Sequence, residues 1–139
     1  MNALPAVVGV ALAIAVAIFA RVVGFDRERV FYPVVLVVIA SYYDLFSVIA
    51  GGASLVPETI GFVLFTAAAA IGFRTSLWIV VAGLAGHGVF DFIHGALIDN
   101  PGVPPWWPTW CLSYDVAAAA CLGVLIWKGG ISERATRYA

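Results

Sequence analysis

From Leu4 to Ala20 the chain runs without a single polar or charged side chain, and the apolar stretch continues past Arg21 to Val23. A helix of about 20 such residues matches the hydrocarbon core of a bilayer. In lipid, a segment of this kind must satisfy its own backbone hydrogen bonds, and a helix does so internally. The rest of the chain repeats the pattern. Hydrophobic residues make up 63% of the 139 positions and charged residues 11%, against about 25% charged in soluble domains. Seven Lys and Arg with eight Asp and Glu cannot supply the polar skin that a water-soluble domain of this length needs. Two cysteines exclude a disulfide scaffold. A net charge of -1 without a basic stretch excludes a nucleic-acid binder. The expected fold class is all-α, a polytopic integral membrane protein whose main partner is the lipid bilayer.

Five spans are expected, at about 4–23, 30–50, 55–73, 77–98 and 110–127, forming one membrane-embedded bundle over residues 1–139. Pro33 and Pro57 each suit the first turn of a helix. Ser76 is an expected N-cap of the fourth span and Thr109 of the fifth. The stretch "DNPGVPPWWP" reads as a loop. The connections are short, so sequence neighbours are expected to lie adjacent and antiparallel. The first span lacks a positively charged leading region and reads as a retained helix rather than a cleaved signal.

With five spans, Arg21, Arg27, Arg29, Arg74, Lys128, Arg134 and Arg137 all fall on one side of the membrane. By the positive-inside rule the N-terminus is then outside and the C-terminus cytoplasmic, the expected location being a cell membrane such as the bacterial inner membrane. Trp106, Trp107 and Trp110 on one side, and Trp78 and Trp127 on the other, suit an interfacial aromatic belt. Stacking within the "PPWWPTW" loop is the competing account of the first three.

The acidic residues divide differently. Asp26, Glu28 and Glu133 accompany the basic side, whereas Asp44, Glu58, Asp91, Asp99 and Asp115 map to the opposite half, as do His87 and His94. Ionisable groups at membrane depth are costly and mark function by default. In "HGVFDFIH", Asp91 lies about 40° from His87 and His94 about 20° on the other side, so all three share one helix face. Two imidazoles and a carboxylate can ligate a divalent metal, zinc or iron; His87, Asp91 and His94 are the expected ligands. Gly86, Gly88 and Gly95 flank them and permit close approach. Asp44, in "SYYDLFS", sits at a similar depth on the second span. Asp115, in "CLSYD", shares a face of the fifth span with Cys111 and a small-residue seam of Ala118, Ala119 and Leu122. Asp44 and Asp115 are the expected catalytic carboxylates, completing the ligand set or acting as base. Glu58 also suits simple stabilisation by a helix N-terminus, and the sequence leaves open whether Glu58, Tyr43, Tyr114 and Cys111 join the site. Cys111 and Cys121 are about 15 Å apart along one helix, too far to bridge.

The gathering of His, Asp and Ser from several helices resembles, in architecture only, membrane-embedded zinc hydrolases of the alkaline ceramidase type. Those proteins have seven spans and three zinc-ligating histidines; this chain has two histidines, so carboxylate, cysteine or water would have to complete a shell.

Three functions fit. The first is a metal-dependent, hydrolase-like membrane enzyme, with its site open to the outer face and a lipid or small amphipathic substrate. The second is a proton or cation transporter or channel acting as a homo-oligomer. The third is a non-catalytic membrane subunit, sensor or haem carrier. The apolar inner halves of spans two, four and five weigh against a through-path.

Overall fold

The computed structural model describes residues 3–135. Five long helices account for most of them: α1 (Leu4–Val23), α2 (Phe31–Ile49), α3 (Leu55–Arg74), α4 (Leu77–Leu97) and α5 (Trp107–Trp127), with a single 3₁₀ turn at Phe25–Arg27. All five are long and apolar enough to cross a membrane, and among the described residues there is no strand.

Local chemistry sets the boundaries. α1 ends at Gly24, whose φ of 91° is open to glycine at little cost. Ser76 caps α4 by accepting a hydrogen bond from the Trp78 backbone N–H. The start of α5 differs from the sequence expectation: it begins at Trp107, so Thr109 lies inside the helix instead of capping it. Pro108 does not break the helix because a proline in the first turn forgoes a hydrogen bond that position never makes.

The helices pack in the ring order α1–α5–α4–α3–α2, with α2 also touching α4 across the bundle. Residue pairings fix their directions. Gly9 of α1 lies on Trp110 and Ser113 of α5, so α1 and α5 run parallel from the same end. Gly72 of α3 meets Val80 of α4, and Gly88 of α4 meets Leu112 and Val116 of α5, which makes these pairs antiparallel. Leu36 of α2 fills the space beside Gly83 of α4. The expectation that all sequence neighbours pack together fails at one place: α1 makes no extended contact with α2 and lies along α5 instead. The reason is steric. Gly9 brings the α1 backbone so close to α5 that a methyl group there would sit 2.1 Å from Ser113 Oγ and 2.3 Å from the Trp110 carbonyl oxygen. The expected seam of Ala118, Ala119 and Leu122 is buried. Of the three flanking glycines, Gly88 mediates packing, whereas Gly86 and Gly95 face open space.

Every described Lys and Arg lies at one end of the bundle, the arginine end; the α2–α3 and α4–α5 connections form the other, tryptophan end. Arg137 lies outside the described residues. At the arginine end, Arg29 donates to the Phe73 carbonyl at 2.9 Å and to the Ser132 carbonyl. The Leu77 N–H donates to Glu133 and the Ala135 N–H to Thr75. The segment after α5 thus folds back onto the α3–α4 connection. At the tryptophan end, Trp107 is buried against Tyr42, Phe46 and Trp110, and the half-exposed Trp106 also lies in aromatic contact with Trp107 and Trp110.

Gly9→Ala should destabilise the bundle by about 1–3 kcal/mol through overpacking, read as a lower melting temperature in detergent. Gly61→Ala, whose added methyl would meet only Phe90 at 3.8 Å, should leave it unchanged or raise it slightly.

Candidate metal centre

Helical phase carries His87 and Asp91 onto the face of α4 that looks into the bundle, and the α4–α5 contact brings Cys111 and Asp115 opposite them. The four residues each offer one ligand atom, and these atoms all lie within 4.8 Å of one another. His87 Nδ1 is 2.7 Å from Asp115 Oδ2 and 3.4 Å from Asp91 Oδ2. The Cys111 thiol faces Asp115 Oδ2 at 3.9 Å. The Tyr43 hydroxyl, from α2, donates to Asp91 Oδ1 at 2.6 Å. Phe65 closes over the His87 ring edge to face, with centroids 4.7 Å apart.

A second group lies towards the tryptophan end. His94 Nε2 pairs with Glu58 Oε1 at 2.9 Å. Asn100, on the α4–α5 connection, donates to the same oxygen at 2.7 Å and to the Tyr43 carbonyl at 3.1 Å. The loop can reach that far because Gly102 has no side chain; a methyl there would sit 2.0 Å from the Phe46 carbonyl oxygen. Tyr43 joins the two groups, its ring stacked on His94 with centroids 4.0 Å apart while its hydroxyl holds Asp91.

The expected ligand row therefore divides. His87 and Asp91 enter the four-residue cluster, and His94 belongs with Glu58 outside it. Asp115 joins the cluster. Asp44 does not: it is half-buried and accepts a hydrogen bond from Thr59 of α3 at 2.7 Å. The physical reason is a turn of about 100° between successive residues, which aims Tyr43 at α4 and Asp44 at α3. Cys111 is in the cluster, Tyr43 bonds to it through Asp91, and Glu58 pairs with His94 outside it, whereas Tyr114 stacks on Trp110. Asn100 was hidden in what reads as a plain turn; its only sequence signal is an Asn directly before proline in "DNPG". The expected opening to the outer face is also absent, since His87, Asp91, His94, Glu58 and Asp115 are all at most 2% exposed.

The electrostatics of this enclosure are unbalanced. Three carboxylates and two imidazoles are buried together, and no Lys or Arg is among the buried polar residues described. Even with both imidazoles protonated, one negative charge lacks a counter-charge. Asp91 Oδ2 and Asp115 Oδ1 are buried without a hydrogen-bond partner. A buried carboxylate oxygen in that condition calls for a proton or a cation. The donor set of one imidazole, one thiol and two carboxylates is one that zinc or iron accepts, so the residues present fit a divalent ion.

The chain matches no family model, no curated protein and no solved structure. Its functional reading therefore rests on its own residues.

Tyr43→Phe removes the hydroxyl that donates to Asp91 and should cost about 1–3 kcal/mol. Thermal or chemical denaturation in detergent, beside the unaltered protein, measures it.

Proposed function

We propose that this protein is a membrane-embedded, metal-dependent enzyme with hydrolase-like chemistry toward a lipid or amphipathic substrate. The observation that carries the reading is the buried cluster of His87, Asp91, Cys111 and Asp115, whose ligand atoms converge within 4.8 Å and whose carboxylates keep unpartnered oxygens. A divalent ion held there would supply Lewis-acid chemistry, polarising a carbonyl and making water more acidic.

The remaining roles belong to the chain. Tyr43 fixes one oxygen of Asp91 and so turns the other towards His87. Glu58 and Asn100 hold His94, and His94 in turn supports the Tyr43 ring. Enclosure by Phe65, Phe90 and Tyr43 keeps bulk water from competing for the ligands. Asp115 lies within the ligand group, so its part is to hold the ion; Asp44, set apart on the α3 side, has no part in it.

The same network, Asp115 to His87 to Asp91 to Tyr43, also suits a proton relay, the transporter reading. Against that reading stands a layer of Leu36, Val80, Leu84 and Leu122 towards the arginine end, each fully buried, which offers a proton no polar step. The positive-inside rule favours a cytoplasmic arginine end. The site would then lie in the outer half of the membrane.

Elemental analysis of detergent-purified protein tests the proposal. The unaltered protein and Asp44→Asn should carry zinc or iron near one ion per chain, and His87→Ala and Asp115→Asn should lose it. Protein that folds without stoichiometric metal, or metal indifferent to His87→Ala, overturns the reading.

A further inference from the structure

The missing contact between α1 and α2 leaves a cleft in the side of the bundle. Its volume is about 260 Å³, and it is walled by α1, α2 and the first turns of α5. Its rim is apolar and open, with Leu12, Val34 and Val38 between 41% and 50% exposed. In a membrane-spanning helix that exposure is to acyl chains, so the cleft is continuous with the lipid-facing surface of the protein. Its floor is closed: Ile39, Trp107 and Cys111 are buried. From Phe31 to Tyr42 the cleft follows α2 for about 16 Å.

Three features identify a guest. The first is size. A space of 260 Å³ falls below the roughly 300–1,000 Å³ of pockets that enclose a drug-sized molecule, and its length and narrowness suit one extended alkyl chain. The second is an unmet donor. Trp107 is among the residues that line the cleft, and its indole N–H is buried without a partner. An indole nitrogen only donates, and a buried unpaired donor is costly, so an acceptor oxygen brought by the guest would satisfy it. The third is position. Cys111 belongs both to the cleft floor and to the cluster with His87, Asp91 and Asp115, and it lies one helical turn from Trp107.

We propose that this cleft binds the single alkyl chain of an amphiphile entering sideways from the bilayer, with its carboxyl or ester oxygen at Trp107 and Cys111 and its tail running towards Phe31. The proposal deepens the enzyme reading above and rests on it for the identity of the adjoining site, because it names the substrate class as a one-chain amphiphile with an acceptor oxygen at its head.

A long-chain fatty acid carrying a mid-chain diazirine tests it, photolysed with the full-length protein in phosphatidylcholine vesicles and mapped by mass spectrometry. Labelling should concentrate on Leu12, Val35 and Ile39 and exceed that of Val89 and Phe92, which are lipid-exposed on α4. Leu12→Trp and Val38→Trp, at the half-exposed rim, should each abolish the cleft labelling and leave the α4 labelling and the metal content as in the unaltered protein. Labelling spread evenly over exposed positions, or cleft labelling that survives both rim variants, overturns the proposal. Protein that labels at the cleft yet holds no metal overturns the enzyme reading while supporting the cleft.

Discussion

The constraint on which this molecule depends is the burial of carboxylates inside a bundle that carries no buried Lys or Arg among its described residues. Charged groups at membrane depth cost several kcal/mol even on lenient scales, and a buried ionic group without a partner costs more than its removal. Glu58, Asp91 and Asp115 must therefore be answered by what surrounds them. Each has one oxygen held by a neighbour: Glu58 by His94 and Asn100, Asp91 by Tyr43, Asp115 by His87. Each also has an oxygen left without a hydrogen-bond partner. A proton or a cation on those oxygens would complete the network.

The packing serves this network. α4 presents two imidazoles and a carboxylate, and three other helices and one loop supply their partners. That requires close approach, and small residues provide it: Gly88 lets α5 come near enough for Asp115 to reach His87, Gly83 receives Leu36 and seats α2 beside α4, and Gly102 lets the loop carry Asn100 inward. The apolar layer of Leu36, Val80, Leu84 and Leu122 then separates the polar half from the arginine end. Polar and apolar parts of the interior are thus separated along the bundle axis.

Much of this was legible from residues alone. Hydropathy located five helices because lipid leaves a chain few alternatives, and four of the five starts fall within one residue of the expected positions. Helical phase placed His87 and Asp91 on one face and Cys111 beside Asp115. What phase cannot supply is the direction of the partner helix. Tyr43 and Asp44 are neighbours on α2, and only the azimuth of α4 and α3 decides that the tyrosine meets Asp91 while the carboxylate turns aside. Chain order likewise suggested that α1 packs on α2, whereas Gly9 makes α5 the better surface. Asn100 was illegible for a different reason: a turn residue becomes part of a site only through the loop's path, which rests on a glycine two positions on.

The pairing of α1 with α5 has a consequence for how the chain is made. α1 is the most apolar of the five spans, and its one extensive helical neighbour is the latest of the five in chain order. During elongation α1 is therefore made before that partner exists, and its freedom from polar side chains between Leu4 and Ala20 suits it to stand alone in an apolar medium. The arginine end obeys the same order, since Ser132 and Glu133 supply carbonyls that Arg29 and the α3–α4 connection require. Closure of the five-helix bundle thus waits for α5, and a nascent chain that stops before α5 leaves its first helix without its main neighbour and its buried cluster without Cys111 and Asp115.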